Sequence, residues 1–368
     1  MLHSVWKWEK FGSVIDYATD SVPINDSSIN ELNQYKRHKW EILYTIRDFL
    51  WWISRWKTEA LKQFILDFDP DIIFAPMYGA VYMHRIDRYV AQLTGKQLIS
   101  YVSDDHLTFR QHSWSPIFWL NRLRLHHQVI KTAQYYSLLY TMTKEQKDEY
   151  EPVLKVPMKI LKKAKDFQQP TFQTQVHSPI RLIYGGNLSG NRSRTLSKIK
   201  EALSKINQNT IIAQLVIYTQ TPITPKIRKM LDDNRNSFLY GKISSKELAH
   251  QYQESDILLH VESFERRPRL QTRLSFSTKI IDLIAACRCV VAICWSESSP
   301  YKYLSQNNIG FCIENEEEIE SKLSYLFSHP QILNEYAHRA WDFGCKYHHS
   351  ALVTAELRND LKNKLYEV

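Results

Sequence analysis

Glycine is scarce in this sequence, with nine residues in 368, so few loops can use it to bring backbone close to a ligand. Long apolar runs are missing too, and none approaches the roughly 20 residues that a membrane-spanning helix needs. The start of the chain has neither a continuous apolar stretch nor a small-residue cleavage site, which argues against a signal peptide. We therefore expect a cytoplasmic protein, either unattached or associated with the inner face of the plasma membrane.

Cysteine is sparse as well, and its five residues all lie in the second half of the chain: Cys287, Cys289, Cys294, Cys312 and Cys345. An odd number without a Cys-x-x-Cys pair favours reduced, mostly buried thiols over a disulfide framework. The Cys287-x-Cys289 pair is a weak candidate for metal binding, and we expect no metal site.

Basic residues outnumber acidic ones, and the resulting net charge of +9 indicates an anionic partner. The basic residues are dispersed along the chain, which disfavours nucleic acid. Segments 47–57 and 116–132 place arginine or histidine beside aromatic residues on predicted helices. Such helices suit contact with an anionic membrane surface. Solvated helices with an apolar side in the core explain the same pattern equally well.

Strand and helix patterns alternate along the chain, which is typical of parallel α/β sheets. A long helix is predicted from about Glu31 to Phe68, followed by buried strands at 71–76, 97–102, 136–142 and 156–161. A polar, proline-marked linker covers 165–179. A second series of strands is predicted at 181–184, 211–218, 238–240, 256–260, 290–294 and 309–313. We expect domains at 1–168 and 178–350, with a C-terminal helix at 351–368 that packs back on the first domain.

Three of the nine glycines cluster at Gly185, Gly186 and Gly190, between an apolar run and an amphipathic helix pattern. A strand, a glycine turn and a helix N-terminus form an anion site, because backbone N–H groups and the helix dipole face the ligand. Asn187 lies within this turn, and Arg192 adds charge at the same end. The turn fits neither G-x-x-x-x-G-K-[ST] nor G-x-G-x-x-G, so it predicts a phosphate site of another kind.

A second helix start lies at Ser275-Phe-Ser277-Thr278-Lys279-Ile-Ile-Asp282. The hydroxyls can hold a phosphate oxygen, and a lysine in a first turn is disfavoured unless an anion neutralises it. Asp282 falls on the same helix face as Lys279 and suits ribose hydroxyls. The alternative is local, with capping hydroxyls and a Lys279–Asp282 ion pair.

Several segments in order resemble the nucleotide-sugar domain of GT-B glycosyltransferases, a large family with retaining, family-4-like members. The similarity covers roughly 180–350 and rests on the segments 185–192, 240–248, 252–265, 277–282 and 303–311. The first half resembles acceptor domains of bacterial surface-polysaccharide glycosyltransferases, through segments 103–106 and 159–167.

The resemblance implies two Rossmann-like parallel-sheet domains facing a cleft. It implies a hexosyltransferase-like enzyme that moves a sugar from a UDP- or GDP-sugar to a saccharide or lipid-linked acceptor in cell-surface polysaccharide synthesis. Such enzymes are retaining, metal-independent and without a tightly bound cofactor. Because the first buried strand is predicted only near Asp71, the first domain is expected to be abbreviated or the chain a truncated gene product. The competing interpretation is a GT-B-shaped nucleotide-binding or partner protein without transferase activity.

The resemblance also implies roles for individual residues. Arg192, Lys279 and the amides of the Gly185–Gly190 turn would bind the diphosphate, and Asp282 the ribose. Either Glu262 or Glu265 would lie near the donor sugar, and either His106 or Asp105 near the acceptor. The remaining candidates for the nucleotide site are Gly186, Asn187, Gly241, Ser277 and Thr278.

The sequence departs from the family pattern at two places. Segment 266–273 is an apparent insertion, rich in arginine, that indicates either a solvated loop or a contact to phosphate or lipid-linked acceptor. Cys287 replaces a glycine that normally follows the helix, so the turn there must form differently.

Overall fold

A computed structural model describes residues 40–366, with side chains from residue 41. Two separate parallel sheets form its framework, one of four strands and one of six. The prediction of two α/β units with parallel sheets is confirmed. The predicted helix start near Glu31 and the other expectations for residues 1–39 lie outside the described residues.

The first sheet has the strand order β1-β2-β3-β4. Its elements are α1 (Trp40–Ile53), α2 (Glu59–Phe68), β1 (Ile73–Pro76), α3 (Val81–Thr94), β2 (Leu98–Val102), α4 (Pro116–Ala133), β3 (Tyr136–Thr141), α5 (Lys144–Leu154) and β4 (Met158–Ile160). The strands lie within one or two residues of the predicted ranges because each is a short apolar run bounded by turn signals.

The prediction of one unbroken helix up to Phe68 is wrong, since the chain leaves the helix after Ile53 and starts a second one at Glu59. Thr58 caps α2 by accepting a hydrogen bond from the Leu61 amide at 3.2 Å. Trp56, in the break, is 4% exposed. Burial of this indole fixes a bend that no proline or glycine in the sequence signals.

The second sheet has the order β10-β9-β8-β5-β6-β7. Its elements are β5 (Ile180–Gly185), α6 (Arg192–Ile206), β6 (Ala213–Tyr218), α7 (Pro225–Leu231), β7 (Ser237–Tyr240), α8 (Ser245–Gln253), β8 (Ile257–Val261), α9 (Arg266–Thr272), α10 (Lys279–Ile284), β9 (Cys289–Ile293), α11 (Ser299–Gln306), β10 (Phe311–Ile313), a 3₁₀ turn (Glu316–Glu318), α12 (Ile319–Ser328) and α13 (Gln331–His348).

This order makes the sheet doubly wound. The chain starts in the middle with β5, builds to one side through β7, and then returns with β8 against the other edge of β5. In such sheets the strand order reverses at one point, and ligands bind in the crevice beyond the carboxyl ends of the strands there. The switch point lies between β5 and β8, which end at Gly185 and Val261.

The final helix, α14 (Ser350–Tyr366), lies against the first sheet. Asp360 accepts a hydrogen bond from the Tyr140 hydroxyl at 2.9 Å, and Glu356 pairs with Lys162 at 3.1 Å. Leu357 and Leu361 pack on the buried side chains of that sheet. Within residues 40–366, none of the helices combines the length and apolarity needed to cross a bilayer.

The loop between α9 and α10 contacts the first half of the molecule. Arg273, which is 7% exposed, forms a bidentate ion pair with Glu149 of α5, in which Nη2 lies 2.7 Å from Oε2. The carbonyl of Leu274 accepts from the Thr143 hydroxyl at 3.2 Å. This loop therefore lies at the junction between the two halves of the molecule.

Candidate functional site

The glycine turn after β5 packs against β6 and against the Lys279 side chain. The Gly186 amide donates to the Tyr218 carbonyl at 2.9 Å, which extends the β5–β6 pairing by one residue. A Cβ atom on Gly186 would lie 2.7 Å from the Lys279 ammonium. Gly190 has φ +64°, the left-handed conformation that glycine adopts without strain. These glycines let the chain turn sharply and let Lys279 approach the backbone.

Arg192 is the first residue of α6, and its guanidinium points back across the turn to Glu262, directly after β8. Nε lies 3.0 Å from Oε2 and Nη2 lies 2.9 Å from Oε1, a bidentate pair. Nη1 donates to the Asn187 side chain at 2.8 Å. The Arg192 and Glu262 side chains are 19% and 13% exposed. Burial opposes the charge on Arg192, but Glu262 outweighs it and raises the arginine pKa.

Lys279 opens α10 opposite the same turn, and its ammonium donates to the Gly185 carbonyl at 3.3 Å. Desolvation, reinforced by the charge of Arg192, lowers the pKa of Lys279. The local interpretation of this helix start, a Lys279–Asp282 ion pair with capping hydroxyls, is wrong. Lys279 reaches the glycine turn at the end of β5, and the Thr278 side chain makes no capping bond.

A cavity of about 130 Å³ lies between these elements. Its wall combines the glycine turn, the end of β8 and the start of α10: Tyr184, Gly185, Asn187, Arg192, Tyr252, Leu259, His260, Val261, Glu262, Ser277, Lys279 and Leu283. The structure therefore brings together two cations, a carboxylate and a glycine turn that are far apart in sequence. This cavity is at the switch point of the sheet.

Some residues predicted for the nucleotide site do not line this cavity, namely Gly186, Gly241, Thr278 and Asp282, and neither does Glu265, predicted near the donor sugar. Gly241 follows β7, and a Cβ atom there would meet nothing within 4 Å. Asp282 accepts from the ammonium groups of Lys163 at 2.5 Å and Lys165 at 3.0 Å. Both lysines belong to the segment that leaves the first sheet. The sequence gives no local signal for this contact.

The two candidate glutamates have different surroundings. Glu262 lines the cavity beside Arg192, whereas Glu265 precedes the short helix α9 and pairs with Arg194 and the Asn191 side chain. Arg194 therefore has a partner outside the cavity. The geometry favours Glu262 over Glu265 as the carboxylate of this site.

His260 is the functional candidate that sequence reasoning missed. It lies on β8 and is 5% exposed, and its buried Nε2 has no hydrogen-bond partner among the described residues. That nitrogen lies 3.9 Å from Glu262 Oε1. Burial lowers the His260 pKa to about 4, so the ring is neutral. The available signal was a single polar residue in the apolar run Ile257–Val261.

A second, larger cavity of about 720 Å³ adjoins the first sheet. His106 lines it, with its ring above Gly79, where a Cβ atom would lie 3.0 Å from the His106 Cε1. Burial lowers the His106 pKa. Asp104 and Ser275, joined by a 2.8 Å hydrogen bond, also line it. Because Ser277 lines the small cavity, the loop from α9 to α10 contributes to both.

Asp105 also borders the larger cavity, but its carboxylate is occupied. It pairs with Arg122 at 3.0 Å and accepts from the Thr108 amide at 2.9 Å and the Tyr150 hydroxyl at 3.1 Å. Its side chain is 2% exposed. Burial opposes ionisation, yet Arg122 and these donors prevail and lower the Asp105 pKa. This environment indicates that Asp105 stabilises the loop, whereas His106 lines the larger cavity without such an ion pair among the described residues.

The arginine-rich insertion is not a loop, since residues Arg266–Thr272 form α9. Arg267 and Gln271 line the larger cavity from this helix, while Arg273 is buried against Glu149. The interpretation as a solvated loop is therefore wrong for much of the segment. Cys287, where the family pattern has a glycine, adopts the left-handed conformation with φ +57°.

Among residues 40–366, no group of three or more His, Cys, Asp or Glu side chains is arranged to hold a metal ion.

Comparisons with known proteins give structural matches alone. No family model matches the sequence, and neither does a curated protein. Among solved structures, TarM is similar with a TM-score of 0.61 and 13% identity, over 84% of this chain and 58% of that one. Anabaena HepE in complex with UDP and glucose gives 0.60 and 11%, over 83% and 81%. OtsA gives 0.57 and 11%, over 84% and 76%.

The chain thus spans less than two thirds of the length of TarM, and 60% of the matched chain in the GtfA/B complex. At these identities the matches describe the fold. They agree with the two parallel sheets of this α/β protein. The protein has the GT-B fold of nucleotide-sugar glycosyltransferases.

Proposed function

We propose that this protein is a glycosyltransferase that moves a sugar from a nucleotide-diphosphate sugar to a saccharide or lipid-linked acceptor. The observation that carries the proposal is the convergence of Arg192 and Lys279 on the glycine turn at the switch point of a doubly wound sheet. Two cations and a helix N-terminus suit a diphosphate. The larger cavity, which shares the loop between α9 and α10 with this site, is the candidate acceptor site.

The chemistry asks for stabilisation of a leaving diphosphate while an acceptor hydroxyl attacks the anomeric carbon. Arg192 and Lys279 would neutralise the charge that develops on the diphosphate. The amides of Asn187, Ser189 and Gly190 would donate to its oxygens, whereas the amides of Gly186 and Leu188 already donate to the Tyr218 carbonyl and the Thr221 hydroxyl. Once the donor is bound, these groups are held by the fold and need little reorganisation during the chemical step. We propose that this reaction is metal-independent and, by the family resemblance, retains the anomeric configuration.

UDP is the nucleotide that the comparisons favour. HepE is known in complex with UDP-glucose and TarM in complex with UDP. We propose a UDP-sugar as donor, with GDP-sugars as the comparison to test. Asp282 would bind the ribose, and because it holds Lys163 and Lys165, ribose hydroxyls would have to share or displace these ammonium groups.

Glu262 would contact the donor sugar, and His106 would face the acceptor from the first sheet. The larger cavity is lined by the aromatic rings of Tyr44, Tyr78, Tyr82 and Phe118 together with polar groups. Aromatic faces beside hydrogen-bonding groups suit a saccharide. Arg267 reaches this cavity from α9, so the insertion would be part of the acceptor site.

We propose a role in cell-surface polysaccharide synthesis, at an anionic membrane surface. On α1, side chains at helical spacing are exposed: Ile42 47%, Ile46 47%, Phe49 55% and Trp52 66%. An apolar helix face on a basic protein suits a membrane interface. Phe49→Ser with Trp52→Ser should reduce co-sedimentation with phosphatidylglycerol vesicles several-fold, whereas Tyr325→Ser, an exposed aromatic on α12, should not.

The test of the function is a transfer assay with the full chain. UDP- and GDP-sugars are supplied with a panel of saccharide and lipid-linked acceptors, and release of nucleotide and the mass of the product are measured. The proposal predicts nucleotide release that depends on acceptor and is lost in Arg192→Ala. Tight nucleotide binding without turnover across the panel would instead support a nucleotide-binding partner protein.

A further inference from the structure

Each of the three nitrogens of the Arg192 guanidinium already has a hydrogen-bond partner. Nε and Nη2 engage both oxygens of Glu262, and Nη1 donates to Asn187 Oδ1 at 2.8 Å and the Ser189 carbonyl at 3.3 Å. A diphosphate that binds to Arg192 through Nε and Nη2 in a bidentate contact has to take these donors from Glu262. The cavity volume of about 130 Å³ points the same way, since sites for small ligands are typically about 300–1,000 Å³.

Such an exchange would remove the cation that now pairs with Glu262. Its side chain is 13% exposed, so losing Arg192 would leave a largely buried carboxylate without a cation. An unpaired buried carboxylate is costly, and a replacement donor would lower this cost. Lys279, the other cation of the cavity, is not available as this replacement donor, because the diphosphate would engage it. The Tyr184 hydroxyl is not available either, because it donates to the Asn187 carbonyl at 2.7 Å.

His260 is the group placed to act as that donor. Its Nε2 is buried, has no hydrogen-bond partner within the described part of the chain, and lies 3.9 Å from Glu262 Oε1. A small rotation of either side chain would bring the two atoms within hydrogen-bond distance. Burial and the cations Arg192 and Lys279 disfavour the doubly protonated form of His260, so the ring is neutral. A neutral imidazole has one N–H, which can be on Nε2.

We propose, as an extension of the proposed function, that Glu262 exchanges partners when the donor binds. Arg192 turns to the diphosphate, and His260 Nε2–H donates to the carboxylate that Arg192 leaves. His260 is thus a positioning residue that holds the Glu262 carboxylate in its orientation toward the donor sugar. A histidine that merely filled the core would have no influence on nucleotide affinity through Glu262.

A double-mutant cycle tests this exchange. Affinity for UDP is measured by isothermal titration for the wild type, His260→Leu, Glu262→Gln and the double variant, and thermal unfolding confirms the fold of each. His260→Leu should weaken UDP binding about tenfold in the Glu262 background. It should change binding less than twofold in the Glu262→Gln background, where no buried charge needs a donor. His260→Gln, which keeps an N–H near the Nε2 position, should stay within about threefold of wild type.

A second measurement uses the unaltered protein. In ¹⁵N-histidine NMR spectra, the His260 Nε2 proton should move downfield when UDP saturates the site, because a hydrogen bond to a carboxylate forms. Equal effects of His260→Leu in both backgrounds, or an unchanged Nε2–H resonance in saturating UDP, would overturn this inference while leaving the proposed function intact. Absence of binding to UDP and GDP by the wild type would overturn both.

Discussion

Arg192 and Glu262 form a bidentate ion pair that joins the start of α6 to the end of β8, with Nε–Oε2 and Nη2–Oε1 separations of 3.0 and 2.9 Å. Arg192 comes after β5 and Glu262 comes directly after β8, and these are the two neighbouring strands at which the strand order of the second sheet reverses. The pair therefore lies where the topology opens a crevice, and Lys279 approaches it from α10. Changes at any of these three elements should therefore affect nucleotide binding.

Substitution of Gly186 should disturb both the site and its packing. A Cβ atom in Gly186→Ala would lie 2.7 Å from the Lys279 ammonium and 2.8 Å from the Tyr184 hydroxyl, so the flexible lysine must move and the buried Tyr184 ring must shift. We expect UDP affinity to fall about tenfold and the free energy of unfolding to fall by about 1–3 kcal/mol, as for overpacking of a buried position. Titration calorimetry and urea unfolding measure the two quantities.

Gly241→Ala is the matched control, because a Cβ atom there would meet nothing within 4 Å. It should keep UDP affinity within about twofold of wild type. A loss of affinity at Gly241 as large as at Gly186 would mean that the approach of Lys279 to the turn is not what matters.

Nucleotide affinity should depend on the ionisation of Lys279. Desolvation and Arg192 lower the pKa of this ammonium, so it loses its proton at a lower pH than an exposed lysine. A diphosphate favours the charged form, and affinity should therefore decrease as the pH rises through the alkaline range, at a lower pH than an exposed lysine would produce. The measurement is UDP affinity against pH in wild type and Lys279→Met.

The Lys279→Met variant should bind UDP about tenfold more weakly near neutral pH, with a flatter pH profile. Parallel profiles for the two proteins would show that another group titrates. Lys279→Arg, which keeps its charge throughout this range, should also give a flat profile.

Asp87 should make the stability of the first half of the molecule depend on pH. Burial raises the pKa of this carboxyl to about 7 from a normal value of 3.8. Because the folded pKa is the higher one, stability is greatest below the unfolded value and falls as the pH rises toward 7. A tenfold difference in proton affinity between the folded and unfolded chain corresponds to about 1.4 kcal/mol of folding free energy.

Asp87→Asn removes this ionisation and should gain stability over wild type between about pH 5 and pH 8, by an amount on the order of a few kcal/mol. Urea unfolding of both proteins at the two pH values measures the difference. If the variant and the wild type kept a constant difference in unfolding free energy, Asp87 would not be the titrating group.

Asp105 and His106 should respond differently to substitution, although they are adjacent. Asp105→Asn breaks a buried contact to Arg122 and should reduce the free energy of unfolding by about 3–5 kcal/mol. His106→Ala should leave stability within about 1–2 kcal/mol and lower the rate of sugar transfer. Thermal unfolding and the transfer assay separate these effects. A stable but inactive Asp105→Asn would reverse the two roles.

Much of the framework follows from the sequence because its strands are short apolar runs between turn signals. The two helix starts at Arg192 and Lys279 were identifiable for the same reason, since glycine, hydroxyl and basic residues cluster there. Their meeting at one cavity follows from the doubly wound strand order, in which β5 and β8 are neighbours.

Other features depend on contacts between distant segments, which local patterns do not encode. The break before α2 comes from burial of Trp56, the occupancy of Asp105 from Arg122, and that of Asp282 from Lys163 and Lys165. His260 was hidden because a single histidine in an apolar strand is most often a core residue. Its significance depends on the 3.9 Å distance to Glu262.

Calorimetric titration with UDP decides whether a nucleotide diphosphate binds between the glycine turn and Lys279. Wild type should bind UDP, and Arg192→Ala should bind it at least tenfold more weakly, since a charge-assisted contact contributes about 1.5–3 kcal/mol. Arg194→Ala is the control, because Arg194 pairs with Glu265 outside the cavity, and it should stay within about twofold of wild type. Equal losses in the two arginine variants, or no binding by the wild type, would contradict this mode of binding.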